Sequence, residues 1–425
     1  MGSNYIGKDF LKLPTPCFVI DEAKFDANCL NMIRNVRELE TASGKDIKFR
    51  PHVKTHKTIE GLAKQLGHGL VAVNETEDAI VFSTIKEAEG ILDYQEESGN
   101  VLVRDICYSL PACIPEILER LDRLSTRASN LRVFVDNIEH LNSLLKFGPT
   151  SSGKKWSYFI KIDMGTHRAG LMNGTKELEE LLSRASAPEI SEVAELYGFY
   201  AHAGHSYSVT NISEAHDLLV EEILAVNEAA KHYSSINPQA DVSSFVLSVG
   251  ATPTSGSLKL ADQASLIEII KNSLVGRLEI HCGNCCMYDL QQLSTGCVQD
   301  YEIAGFVLGS IVSVYRSRGE VLTNTGVLSL TRETSRFPGH GIVVDPGEIL
   351  NNEHYEKKWF VEKVSQEHGK LKRLDENSKF SAPELGSKIA ILPQHACIVA
   401  GCFNYYFVID SKGIVTDVWR PIRGW

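Results

Sequence analysis

The run RPHVKTHK at residues 50–57 sets Lys54 among Arg50, His52, His56 and Lys57. A lysine surrounded by cations and taken out of water has a lowered pKa, which suits Schiff-base formation or proton transfer. Read as the end of a strand, the run puts His52, Lys54 and His56 on one face, so that Lys54 points inward between two imidazoles. The plainer alternative is a basic strand end in water. GTHRAG at 165–170 offers Arg168, and YAHAGHSY at 200–207 offers Tyr200, His202 and Tyr207. Such groups suit a polar aromatic cofactor held by stacking and hydrogen bonds. Taken singly, Arg168 also reads as a salt-bridge residue and His202 as a satisfied core histidine. SVGATPT at 248–254 carries Gly250 and Thr252, and HCGN at 281–284 carries Gly283 and Asn284. Small residues let the backbone approach phosphate oxygens, although ordinary turns use the same residues. In PQHAC at 393–397, His395 and Cys397 stand two apart. On a strand they face one side and could share a Zn²⁺, and two ligands leave positions open, as at a catalytic rather than a structural zinc. A buried Cys beside a hydrogen-bonded His is the alternative. HCGNCC at 281–286 is a poorer metal cluster, because adjacent Cys285 and Cys286 diverge on a strand and no second CxxC lies nearby.

The elements that must position these residues are read from hydrophobic period. Extended apolar or β-branched runs occur at 48–54, 79–84, 100–105, 131–136, 158–163, 197–202, 245–249 and 277–281. Between them the period changes to that of helices, at 59–66, 86–94, 115–124, 139–147, 176–185, 214–233 and 258–272. Eight strand–helix units in about 250 residues favour a closed (β/α)8 barrel over an open doubly wound sheet. The motifs then fall at the C-terminal ends of strands, where barrel enzymes place their active sites. From about Gly296 the chain turns β-rich, with runs at 305–315, 341–344, 359–364, 388–392 and 405–409, which reads as an antiparallel β domain. The expected organisation is an α/β barrel over 14–295 and a β domain over 296–425, with residues 1–13 packed on the latter.

Composition narrows the partners. Of 425 residues 43% are hydrophobic, enough for a large core, and 54 acidic against 43 basic residues give a net charge of −11. That balance disfavours nucleic acid and anionic membrane as partners and points to a small-molecule substrate. The N-terminus lacks the pattern of a signal sequence, so the expectation is a cytoplasmic protein whose ten cysteines are reduced or bind metal.

Taken together, PHVKTHKT, DMGTHRAGL, GFYAHAGHSY, SVGATPT, HCGN, SQEHG with Glu367 and His368, and LPQHAC resemble the eukaryotic, fungal-type D-serine dehydratases, nearly from end to end. The resemblance implies the alanine-racemase-like fold of pyridoxal phosphate enzymes, a homodimer, and conversion of D-serine to pyruvate and ammonia. By motif, Lys54 matches the lysine that binds the cofactor covalently, and His395 and Cys397 match the zinc pair. Tyr200 and Tyr207 match tyrosines lining the cofactor, and Gly250 and Thr252 match the phosphate loop. Arg168 and His202 correspond to residues near the cofactor ring, and Gly283 and Asn284 to the second small-residue turn. Cys285 departs from the aromatic residue expected after the Gly-Asn pair. A racemase needs a second proton donor and no metal, so the His-X-Cys pair separates the two activities. The alternatives are a D-threonine aldolase-type lyase on the same fold and a cofactor-binding protein without turnover.

Overall fold

Runs of aromatic and β-branched residues become strands, and side-chain caps start the helices between them. The protein is described by a computed structural model that covers residues 2–375 and 382–425. The first strand, β1 (Cys17–Asp21), leads into a helix at Glu22–Ser43. The next eight are β2 (Ile47–Pro51), β3 (Ala79–Phe82), β4 (Asp105–Tyr108), β5 (Asn130–Val135), β6 (Trp156–Ile162), β7 (Ala194–Ala201), β8 (Val246–Val249) and β9 (Arg277–Cys282). They form one parallel sheet in the order β2-β9-β8-β7-β6-β5-β4-β3. A bridge between His52 and Val81 brings its two edges together, so the sheet is a nearly closed barrel, as expected. The strands are apolar on both faces because helices cover the outside and side chains fill the inside. Thr58, Thr84, Asn137, Thr175 and Asn211 each cap a barrel helix by accepting a backbone N–H, which sharpens the strand-to-helix turns.

By its internal contacts the chain divides into a unit of residues 30–283 with 422–425, and a unit of residues 1–29 with 284–421. The change of unit thus comes at Asn284, before the composition change at Gly296. The second unit is built on a nine-stranded sheet. After β1 its strands are β10 (Gly305–Tyr315), β11 (Glu320–Thr323), β12 (Gly341–Val344), β13 (Trp359–Val364), β14 (Gly369–Arg373), β15 (Lys388–Pro393), β16 (Tyr406–Ile409) and β17 (Val415–Trp419). Their order is β11-β14-β13-β12-β15-β10-β1-β16-β17, with β10 also paired to β11. Every pairing is antiparallel except that of β1 with β16. The β domain is therefore completed by a strand from the N-terminal end of the chain.

Three expectations need correction. The run at 100–105 is not a strand: the N–H groups of Leu102 and Val103 both bond the Gln95 side chain, at 2.9 and 2.6 Å, and β4 begins only at Asp105. The segment at 258–272 breaks into a turn at Ser257–Lys259 and a helix at Ala264–Asn272. His395 and Cys397 do not lie on a strand. β15 stops at Pro393, His395 is the N-cap of a short helix at Ala396–Ala400, and Cys397 is its second residue. An unbroken apolar run reads equally as either element.

Candidate active site

The C-terminal ends of the barrel strands surround a cavity of about 320 Å³. Lys54, Arg168, Tyr200, His202, Tyr207, Gly250, Thr252 and Gly283 all line it. Asn284 does not; its amide donates to Asp289 at 2.6 Å within the second unit.

Lys54 is presented by a turn rather than a strand, because β2 ends at Pro51 and Val53–Thr55 form a 3-10 turn. His52 Nδ1 accepts the Lys54 N–H at 3.4 Å, so its Nε2 carries the proton and faces Ser83 Oγ at 3.4 Å. Gly283 gives the lysine room: a Cβ there would sit 3.3 Å from Lys54 Cε. His56 does not flank Lys54. It is fully buried, its Nδ1 accepts the Thr58 N–H at 3.0 Å, and its Nε2–H reaches Gln65 Oε1 at 2.8 Å. Gln65 in turn donates to the Gly283 carbonyl at 3.3 Å, so His56 supports the glycine turn from behind. Burial lowers its pKa to about 4.

The imidazoles around Lys54 are instead His52, His202 and His281. His202 donates Nδ1–H to the Gly250 carbonyl at 2.8 Å, and His281 Nε2 bonds the Ala201 carbonyl at 2.9 Å. The His281 ring stacks on Tyr200 with centroids 4.1 Å apart and planes 1° apart, forming a flat wall. Burial, then the charge of Lys54, pushes His202 down to about 3 and His52 well below the usual range; burial and His202 do the same to His281. Lys161 on β6 is a second lysine of the cavity, 4.8 Å above the Tyr200 ring and 4.9 Å above that of Phe134. Burial and the Arg168 guanidinium bring it down to about 8. Arg168 is exposed at the mouth, on a loop folded around Asp163, whose carboxylate accepts the N–H groups of Gly165, Thr166 and His167.

Sequence reasoning missed Lys161 and His281 as cavity residues, and also a second inward ring two residues back along the strands. There Arg50 donates to Glu279 at 2.9 Å and to Asp105 at 2.8 Å, Arg132 donates to Asp105 at 2.6 Å, and Ser248 donates to Glu279 at 2.8 Å. The usable signal was a single charge inside an apolar strand, as in NLRVFV, WSYFIKI and RLEIHC.

In the second unit, Gln291 Nε2 donates to the Thr334 carbonyl at 3.0 Å, which turns its Oε1 toward His395 Nδ1. His395 therefore carries its proton on Nδ1, and Nε2 is the nitrogen with the lone pair, the form a metal ligand needs. Buried Asp289 accepts the Ala396 N–H at 2.8 Å and fixes the turn between the two candidate ligands. Among the described residues no group of three or more His, Cys, Asp and Glu is placed to hold a metal ion, and none of the ten cysteines is in a disulfide. No helix among them is long and apolar enough to cross a membrane.

Two family models match: the alanine racemase N-terminal domain over residues 28–255 and the putative serine dehydratase domain over 304–409. The chain is 55% identical to the D-serine dehydratase of Saccharomyces cerevisiae, a match covering 100% of this chain and 99% of that protein. It is 39% identical to the D-serine dehydratase of Schizosaccharomyces pombe, over 99% and 94% of the two chains. Among solved structures, D-threo-3-hydroxyaspartate dehydratase from Delftia sp. HT23 superposes with a TM-score of 0.77 at 25% identity, over 98% of this chain and 100% of that one. End-to-end likeness at this level, on the same two-part architecture, means that the chain belongs to the D-serine dehydratase family.

Proposed function

We propose that this protein is a D-serine ammonia-lyase that uses pyridoxal phosphate and zinc to eliminate water from D-serine, giving pyruvate and ammonia. The observation that carries the reading is the charge of the cavity: Lys54, Lys161 and Arg168 line it, and among the described residues no Asp or Glu does. Lys161 is buried, Lys54 half-buried and Arg168 exposed at the mouth, so positive charge runs from solvent into the cavity, and a ligand bearing phosphate and carboxylate groups complements it. The remaining surfaces suit the cofactor as well. Tyr200 and His281 offer a flat wall for an aromatic ring, and Gly283 leaves space for the lysine stem.

When bound, pyridoxal phosphate supplies the electron sink for a carbanion at the substrate Cα. Lys54 is the residue that would attach it, and Lys54 Nζ would be the base that accepts the Cα proton. His52 and His202, kept neutral by burial, fill the cavity wall without adding positive charge that would compete for the same anions. Lys161 and Arg168 provide the attraction for the phosphate and carboxylate. His395 Nε2 and the Cys397 thiolate are the donors that would hold zinc, which supplies Lewis acidity to a departing hydroxide. A solved mutant of D-threo-3-hydroxyaspartate dehydratase is in a metal-free form, which supports a metal in that protein and, by likeness, a metal here.

The test is pyruvate release from D-serine and L-serine, with and without a chelator and zinc add-back, joined to borohydride reduction and peptide mapping. Expected are D-specific, zinc-restored activity and a pyridoxyl group on Lys54. Label on another lysine, or chelator-insensitive turnover, would falsify the corresponding assignment. Glycine and acetaldehyde from D-threonine in place of pyruvate would establish aldol cleavage, and binding without any turnover a carrier. The reading also includes a cytosolic homodimer, motivated by the family; an active monomer in light scattering contradicts it.

A further inference from the structure

Glu222 lies outside the cavity, on the helix Ile212–Ile236, fully buried and unused by the chemistry above. Its two oxygens collect donors from two different rim loops. One accepts the Ala203 N–H at 2.6 Å, directly after His202, and the other accepts the Thr254 hydroxyl at 2.8 Å. Thr254 Oγ1 in turn accepts the Ala251 N–H at 2.8 Å. The N–H of the residue after Gly250 is therefore held by Thr254, and Gly250 itself is held at its carbonyl by His202. No other residue fits there, because its φ is +142° and a Cβ would lie 2.1 Å from the His281 carbonyl oxygen. The Ala251 N–H and the Gly250 carbonyl are thus consumed inside the protein. They shape the loop that carries Thr252 to the cavity instead of projecting into it.

We propose that Glu222 is a positioning residue for the cofactor phosphate, clamping the loop 250–254 to the end of β7 so that Thr252 and its neighbours are set before the ligand arrives. The inference rests on the cofactor reading above and adds a residue to it. A carboxylate is the group the site requires. Two donors, the Ala203 N–H and the Thr254 hydroxyl, converge on it, one on each oxygen. A glutamine would turn its own NH₂ against at least one of them and leave buried donors facing each other.

The experiment uses the full chain stripped of cofactor and titrated with pyridoxal phosphate and, separately, pyridoxal, which lacks the phosphate. Wild type is expected to favour pyridoxal phosphate strongly. Glu222→Gln should weaken pyridoxal phosphate at least tenfold and leave pyridoxal within about twofold. Thr254→Val should do the same, Thr254→Ser should restore wild-type binding, and the double variant Glu222→Gln/Thr254→Val should add little to either single change, since both break one network. Equal weakening toward both ligands, or the wild-type preference kept in Glu222→Gln and Thr254→Val alike, overturns the inference. A wild type without preference for the phosphorylated ligand overturns the cofactor reading together with it. If Glu222→Gln fails to fold, the Thr254 pair carries the decision, because serine and valine there differ in the hydroxyl.

Discussion

Arg50 and His52 stand two residues apart on β2 and its end, as do Glu279 and His281 on β9, so the barrel interior carries two successive rings of polar side chains. The deeper ring holds Arg50, Arg132, Asp105 and Glu279, two cations and two anions, each in a direct ion pair. Burial alone would lower the pKa of Arg50, but Asp105 and Glu279 outweigh it and hold Arg50 well above its ordinary value; likewise Arg50 and Arg132 keep Asp105 below its own. The outer ring holds Lys54, Lys161 and three histidines and among the described residues has no carboxylate in its wall, so burial and the neighbouring cations outweigh the hydrogen bonds that favour the charged form, and the imidazoles are neutral. The difference is one of completeness. A balanced ring needs nothing further and serves the fold, whereas an unbalanced one is finished only by an anion from outside.

The largest effect should come from unbalancing the deeper ring. Asp105→Asn leaves Arg50 with Glu279 alone and takes from Arg132 its carboxylate partner, and breaking a buried pair in this way costs about 3–5 kcal/mol. Lys161→Met in the outer ring should leave the thermal stability of the cofactor-free protein unchanged or raised, since it removes a buried cation that lacks a carboxylate in the cavity. Urea unfolding of the two variants beside wild type checks this. Equal losses would mean that Lys161 is as much a part of the fold as Asp105.

Acid should separate the rings next. His52, His202 and His281, with His56 behind them, are neutral when folded, at about 3 for His202 and about 4 for His56, and take up protons near pH 6.5 when unfolded. Folded values below unfolded ones mean stability fully present above pH 6.5 and lost as pH falls toward the folded values. Glu222 and Glu77 act in the opposite sense, because burial raises each to about 7; their contribution is full below about 4.5 and lost as pH rises through 7. His216 joins the histidines, and Asp21 and Asp289 join the raised carboxyls, so the two sets largely offset one another between pH 6.5 and 4.5. Each single depressed histidine contributes about 1.4 kcal/mol per pH unit to the slope. Urea midpoints at pH 6.5 and 5.5 read the slope. His202→Gln should lower it by about one proton, and Asp105→Asn, whose carboxylate titrates below this window, should not change it.

These rings also mark what could be read without coordinates. RPHVKTHK announces Lys54 because its cations are neighbours in the chain, and the eight-unit alternation gives the barrel because each strand and helix carries its own period. The partners of Lys54 were misassigned, since His56 turns away at Lys57, whose φ is +57°, and His281 arrives from more than 200 residues along the chain. Long-range pairing leaves no local trace. β1 and the helix Glu22–Ser43 are hidden for another reason: they precede the eight alternating units, and β1 joins the sheet of the second unit. At PQHAC the residues were legible and the element was not, so a strand-face argument reached a pair that in fact shares the first turn of a helix.

The smallest effect tests whether the outer ring wants an anion at all. Inorganic phosphate is too small to fill the cavity, but it can meet Lys54, Lys161 and Arg168 there. A ligand at ten times its Kd stabilises the folded state by about 1.4 kcal/mol, which in a chain of this size raises Tm by about 1–3 °C. Phosphate also stabilises proteins by exclusion from their surface, so the rise alone decides nothing. The variants separate the two causes. Exclusion acts on the whole surface and should raise wild type, Asp105→Asn and Lys161→Met alike, whereas binding in the cavity should survive in Asp105→Asn and shrink in Lys161→Met. With ionic strength matched by potassium chloride, the expected outcome is a rise in the first two proteins that exceeds the rise in Lys161→Met. Three equal rises would mean that the positive charge of the outer ring does not attract an anion by itself, and that its excess over the deeper ring must be explained through the reaction rather than through binding.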